Sequence, residues 1–156
     1  EQPRHLVGHA GVVWSVAVAE LYGRPHALTG STAGEVRVWD LTTGEHRRHL
    51  SGHPGAARSV AVAELYGRPH ALTAYADRSV RVWDLTTGEQ TDHLTGHILG
   101  LRSVEGVELD GRPLALTGSS VGDLRVWDLT SGEQTRHLTG HIFGIVSVAV
   151  AELNGR

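Results

Sequence analysis

Val36-Arg37-Val38-Trp39-Asp40-Leu41-Thr42-Thr43-Gly44-Glu45 comes back as Val80-Arg81-Val82-Trp83-Asp84-Leu85-Thr86-Thr87-Gly88-Glu89, 44 residues later. After another 44 residues it returns with small changes as Leu124-Arg125-Val126-Trp127-Asp128-Leu129-Thr130-Ser131-Gly132-Glu133. Apolar and polar residues alternate from Val36 to Leu41, which predicts a short strand, and Thr42-Thr43-Gly44 supplies a turn. A second marker keeps the same interval: Gly8-His9, Gly52-His53, Gly96-His97 and Gly140-His141. A fixed interval of this size means that one supersecondary unit recurs and buries its apolar faces by stacking on its neighbours.

Each unit reads as four strands. Gln2 to Val7 predicts the first, and it matches His46 to Ser51, Gln90 to Thr95 and Gln134 to Thr139. Ser15 to Leu21 predicts the second, with valines on one face and alanines on the other, which suits a crowded inner position. Tyr22-Gly23-Arg24-Pro25 breaks it, His26 to Gly30 is a third strand, and Ser31 to Glu35 a polar turn before Val36. Residues 59–73 are identical to residues 15–29. The repeats run approximately over 1–44, 45–88, 89–132 and 133–156 in a single array over 1–156, the last ending within the strand-and-turn segment that follows Ser147.

Composition narrows the partners. A net charge of −3 without an extended Lys/Arg run argues against nucleic acid, which demands a clustered basic surface. No apolar run reaches the ~20 residues of a membrane span and no basic-then-apolar leader is present, so no membrane partner and a cytoplasmic location are expected. The absence of cysteine excludes disulfides and thiolate zinc sites. The first residue is Glu1 and not Met, which raises the expectation of a fragment, a processed chain or an engineered one.

Four Gly-His and three Trp-Asp pairs in one register resemble the WD-repeat β-propeller family over the whole chain. The Gly-Arg-Pro before the Ala-Leu-Thr strand further resembles tandem WD repeats of actinobacterial proteins. The resemblance implies an all-β fold, a WD-repeat β-propeller fragment of about 3.5 four-stranded blades. An open arc would leave two apolar blade faces in water, so completion by self-association or by the remainder of a longer array is expected.

The resemblance also implies a hydrogen-bonded network in each repeat, joining the Gly-His histidine, a Ser/Thr, an Asp in the next turn and the Trp of Trp-Asp. The second repeat has all four members as His53, Thr73, Asp77 and Trp83. The first has His9, Thr29 and Trp39 with Ala33 at the Asp position, and the third has His97, Thr117 and Trp127 with Val121 there. Loss of the Asp is expected to cost about 1 kcal/mol or somewhat more per repeat, leaving the second repeat the best ordered. Asp110 and Asp123 read as turn residues.

Eleven histidines invite a metal reading, but the pairs at a spacing of four, such as His5 and His9, span a strand end and a loop and need not converge. No metal or other cofactor is expected. Arg37, Arg81 and Arg125 are expected to pair with carboxylates such as Asp40, Asp84 and Asp128. No phosphate loop, nucleophile elbow or carboxylate pair points to catalysis, so the chain is expected not to be an enzyme.

The repeats differ most in the loop after Gly-His, and by resemblance that loop lies on the propeller face most used for partners. Trp14, Arg58 and Arg102, each just before a serine, are residue types enriched in binding hot spots. Ile98, Leu99, Ile142 and Phe143 would add an apolar patch, with packing between blades as the equal alternative. The expected function is a non-enzymatic protein–protein interaction scaffold with a protein or peptide partner. The alternatives are a self-assembling structural or engineered module, whose homo-oligomer would be its purpose, and a His-rich metal-binding or enzymatic propeller.

Overall fold

The computed structural model describes residues 5–50, 55–96, 100–140, 144–145 and 147–150. These form three four-stranded antiparallel sheets, each with its strands in chain order. The first holds β1 (Val13–Leu21), β2 (Arg24–Ser31), β3 (Val36–Asp40) and β4 (His46–Leu50). The second holds β5 (Ala57–Leu65), β6 (Arg68–Tyr75), β7 (Val80–Asp84) and β8 (Gln90–Leu94), and the third β9 (Leu101–Leu109), β10 (Arg112–Ser119), β11 (Leu124–Asp128) and β12 (Gln134–Leu138).

Local chemistry sets the turns. β1 and β2 meet across Tyr22-Gly23, whose φ values of 53° and 70° make a two-residue primed turn that matches strand twist. The β3–β4 turn is tied by its own aspartate: Asp40 Oδ1 accepts the N–H groups of Thr42 at 2.8 Å and Thr43 at 3.1 Å, and Gly44 N–H reaches Asp40 O at 2.7 Å. Asp84 and Asp128 repeat the arrangement with Thr86 and Thr130.

The core lies between sheets. Leu28, Val38 and Leu50 of the first sheet pack with Ala57, Val60 and Trp83 of the second. Leu72, Val82 and Leu94 of the second pack with Leu101, Val104 and Trp127 of the third. Each buried Leu or Val contributes about 1.5–3 kcal/mol as an upper figure. Neighbouring sheets are also stitched by hydrogen bonds: Val60 N–H donates to Ser15 Oγ at 3.0 Å, and Val104 N–H to Ser59 Oγ at 3.2 Å. At Gly106 a side chain would start 2.7 Å from Val62 O, so glycine permits the close approach of β9 to β5.

Identical residues have different fates at the end of the stack. Val16 and Val18 are each 65% exposed, whereas Val60, at the position of Val16, is buried against the first sheet. At the other end, Ile145 donates its N–H to Ser119 O at 2.8 Å and lays its side chain over Gly118.

Two strand expectations are corrected. His5 to Val7, the described part of the expected Gln2 to Val7 strand, are not in a strand. Every described outermost strand pairs with the β3-type strand of its own sheet, as β4 does with β3, and no such neighbour stands beside His5 to Val7 among the described residues. Likewise the described residues 147–150 are not in a strand, because no β2-type strand lies beside them to complete the hairpin.

Candidate partner-binding site

Trp14, Arg58 and Arg102 share one backbone feature. In the β1–β2 register Val13 faces Ser31 and Ser15 faces Gly30, so Trp14 is the extra residue of a bulge. Arg58 takes that place between Ala57 and Ser59, and Arg102 between Leu101 and Ser103. A bulge re-aims the side chain it carries, and here it does so at the same end of three adjacent innermost strands.

All three side chains line one groove of about 270 Å³, together with Ser59, Ser103 and Glu105. Trp14 is 51% exposed, and the Arg58 guanidinium carbon lies 5.4 Å from the centre of its ring, a cation–π contact. Arg58 Nε has no hydrogen-bond partner. The groove thus offers an aromatic face, two guanidinium groups and a carboxylate on rigid strands. Ile98, Leu99, Ile142 and Phe143 lie outside the described residues.

Behind this face each repeat is fastened by its Trp. Trp39 Nε1–H donates to Thr29 Oγ1 at 2.8 Å, Trp83 to Thr73 at 2.9 Å and Trp127 to Thr117 at 2.8 Å. His9 completes the chain in the first repeat. Its Nε2 lies 2.5 Å from Thr29 Oγ1 and its Nδ1 3.2 Å from Glu35 Oε2. The carboxylate fixes the tautomer: Nδ1–H donates to Glu35, and Nε2 accepts the Thr29 hydroxyl proton. Burial keeps the His9 pKa below its ordinary value despite Glu35, which favours the neutral ring. His53 and His97 lie outside the described residues.

The first repeat therefore has a carboxylate after all, which corrects the expectation drawn from Ala33. Glu35 Oε2 also accepts Ala10 N–H at 3.2 Å, and Oε1 accepts from Arg37 at 3.2 Å. Burial disfavours its charge, but Ala10, Arg37 and His9 together bring its pKa down to about 2. Asp123 occupies the same place in the third repeat and is more than a turn residue: it pairs with His137 at 2.9 Å and Arg125 at 3.4 Å. The His137 hydrogen bond, with Arg125, outweighs burial and holds Asp123 below the usual carboxylate range. In the second repeat Ser79 stands there and donates its hydroxyl to Asp77 at 2.6 Å.

The expected pairing of Arg37, Arg81 and Arg125 with Asp40, Asp84 and Asp128 is also corrected. Residues three apart on a strand point to opposite faces. Arg37 turns to Glu35, Arg81 to Gln90 Oε1 at 2.9 Å, and Arg125 to Asp123, Gln134 and the Gly96 carbonyl. Gly8, beside the Arg37 guanidinium, sits at φ +147°, a conformation that side-chain-bearing residues rarely adopt. Two further histidines cap their own strands, His26 Nδ1–H donating to Arg24 O and His70 Nδ1–H to Arg68 O, each at 2.9 Å. Among the described residues no three His, Asp or Glu side chains gather as metal ligands, and no helix is long and apolar enough to cross a membrane.

Residues 1–40 and 44–84 match the family model for the WD domain, G-beta repeat. The chain also superposes on the structure of U3-55K and on the crystal structure of the RRP9 WD40 repeats, each with a TM-score of 0.80 and 14% sequence identity over 91% of this chain. It spans 43% of the length of those chains, and the likeness is one of fold. No curated protein sequence matches it. With more than half of its residues inside the family model and its three sheets laid out as propeller blades, the chain belongs to the WD-repeat family.

Proposed function

We propose that the array is a non-enzymatic scaffold that holds a protein or peptide partner on the face carrying Trp14, Arg58 and Arg102. The fold is typical of protein–protein interaction scaffolds. The observation that carries the reading is the shared bulge, which turns three hot-spot residue types from three blades into one groove. Selection of peptides from a displayed library on the purified chain, followed by binding to Trp14→Ala, Arg58→Ala and Arg102→Ala variants, tests it. Loss of at least about tenfold in affinity in each variant supports the site; selected peptides that bind all three variants as well as the parent would refute it.

A second reading is favoured by the bare valines. Val16 and Val18 are exposed on a face that the second and third blades bury against a neighbour. At the far end of the described stack, Ser103 Oγ is buried without a hydrogen-bond partner, whereas its counterparts Ser15 and Ser59 accept from the next blade. A second copy or a further run of the same repeats would cover the Val16 face. Light scattering on the isolated chain decides between a discrete oligomer and a monomer near 16.7 kDa.

A further inference from the structure

At the opposite ends of the innermost strands from Trp14, adjacent blades leave two equivalent notches. The first, of about 430 Å³, is lined by Leu21, Tyr22, Arg24, Asp40, Arg47 and Arg48 of the first blade, closed by Leu85 of the second. The second, of about 480 Å³, repeats it with Leu65, Tyr66, Arg68, Asp84, Thr91 and Asp92, closed by Leu129. Residues 15–29 and 59–73 are identical, so the backbone and floor of the two notches match. Their charge does not. The first sets three arginines against one aspartate, and the second one arginine against two aspartates.

The arginines of the first notch exceed what its fold requires. Among the described residues Arg68, at 3.2 Å, is the only arginine paired with Asp84, since Thr91 stands at the position of Arg47. Asp40 has two: Arg47 at 3.2 Å and Arg24 at 3.6 Å converge on the same oxygen. Both guanidinium groups remain about half exposed while Asp40 is buried. Arg48 is committed elsewhere, donating to the Thr86 and Thr87 carbonyls of the second blade. Two arginines holding one carboxylate oxygen therefore line an open notch with donors to spare.

Tyr22 gives the notch an exposed aromatic wall. It is 77% exposed and sits at φ 53°, a conformation that Asn, Asp and Gly adopt more readily. The equivalent turn of the third repeat is Asp110-Gly111, which obeys that preference. Tyr66 shares that conformation and exposure in the second notch, so the paired arginines beside Tyr22 are what set the first notch apart.

We propose that this notch is a second binding site, which takes a carboxylate side chain of an acidic peptide between Arg24 and Arg47, with an apolar neighbour of that side chain against Tyr22 and Leu21. The guanidinium pair matches a carboxylate, and the apolar floor matches the flanking residue of a peptide, which a phosphate backbone lacks. The site lies at the far end of β1 from the Trp14 groove and stands independently of that groove's role.

The test is fluorescence anisotropy of a labelled twelve-residue peptide of alternating Glu and Leu pairs, with its Gln counterpart as control. The second notch supplies variants whose wall sequence the same fold already carries. Arg47→Thr with Arg48→Asp gives the first notch the wall of the second, and affinity for the Glu peptide is expected to fall at least about tenfold. Thr91→Arg with Asp92→Arg performs the reverse exchange and is expected to raise the stoichiometry from one peptide to two. Should the first exchange unfold the chain by circular dichroism, the second still decides. No binding of the Glu peptide by the parent, equal binding of the Gln peptide, or unchanged binding in both exchanges would overturn the proposal. Loss in Arg58→Ala in place of Arg47→Thr would put the peptide on the other face and overturn it too. So would equal binding of a single-stranded oligonucleotide of the same charge, which would make the notch a general polyanion patch.

Discussion

His9 Nδ1 lies 3.2 Å from Glu35 Oε2, and that one contact closes a relay from Trp39 through Thr29 and His9 to a carboxylate that also holds Ala10 N–H and Arg37. Removing Glu35 strands three donors at once. Glu35→Ala is expected to destabilise the chain by about 1–3 kcal/mol, read as a fall of about 2–4 °C in Tm per kcal/mol. Glu35→Gln keeps an acceptor and should lose less. A Tm unchanged in Glu35→Ala would mean that water replaces the carboxylate at no cost.

Thr29 and its counterparts are the hinge of each relay, since each accepts an indole N–H that is otherwise buried. Thr to Val keeps the shape and deletes the acceptor. Thr29→Val, Thr73→Val and Thr117→Val are each expected to cost about 1–3 kcal/mol in urea unfolding, because the Trp donor is left unsatisfied. A neutral result in any one would show that the Trp of that repeat finds another acceptor.

Acid should weaken the fold in two stages. The His9 pKa is lowered from 6.5 by burial, so the unfolded chain takes up that proton first; its contribution is complete above about pH 6.5 and declines as pH falls through the folded value. Glu35 is lowered from 4.5 to about 2, so its contribution is complete above about pH 4.5 and is lost as pH falls toward 2. Asp40, at about 2, is held down against burial by Thr42, Thr43 and Arg47 and acts in the same direction, as do Asp84, Asp123 and Asp128. Urea midpoints at about pH 7, 5.5, 4 and 3 should fall throughout, most steeply at the last step. A midpoint flat from neutrality to about pH 4 would contradict the His9 assignment, and one that rises below it the carboxylates.

Tyr66, like Tyr22, occupies the first position of a primed turn with φ 53°, and it is 78% exposed. Replacing it with Asn exchanges a disfavoured residue for one that tolerates that conformation and gives up little buried surface. Tyr66→Asn is expected to gain about 0.5–1 kcal/mol. A loss of stability would show that the ring packs on the chain more than its exposure indicates.

The sequence alone reveals the blades because their period is rigid: Trp39, Trp83 and Trp127 anchor a register from which every described β2-, β3- and β4-type strand follows. The carboxylate of the network is less legible in the sequence. At positions 33, 77 and 121 the residues are Ala, Asp and Val, and at 35, 79 and 123 they are Glu, Ser and Asp. Each repeat has an acid in one position or the other, a pattern visible only when both columns are read together. Aligning a single column misses it, because in the first repeat a glutamate two residues later reaches His9 with its longer side chain. The bulges at Trp14, Arg58 and Arg102 were hidden for a different reason. A bulge is a property of two paired strands, and no single strand's alternation records it. The charge reversal between the notches is equally a matter of which strand ends meet across blades.

Val16 and Val60 are the same residue in the same local sequence, which makes them a matched pair for the open end of the array. Val60 is buried in the core shared by the first two blades, so Val60→Ala should cost about 1.5–3 kcal/mol at any protein concentration. Val16 is 65% exposed in the single chain, so Val16→Ala should change stability by less than about 0.5 kcal/mol when the chain is dilute. If blades of a second copy cover this face, the difference between the two substitutions narrows as concentration rises, because association then buries Val16 as the first blade buries Val60. Val16→Asp with Val18→Asp should abolish the association while leaving the dilute chain folded. Sedimentation and urea unfolding over a hundredfold range of concentration measure both effects together. Concentration-independent stability in the parent would leave the Val16 face without a second copy of the chain, and cover from a further run of repeats would be the part of the second reading that survives.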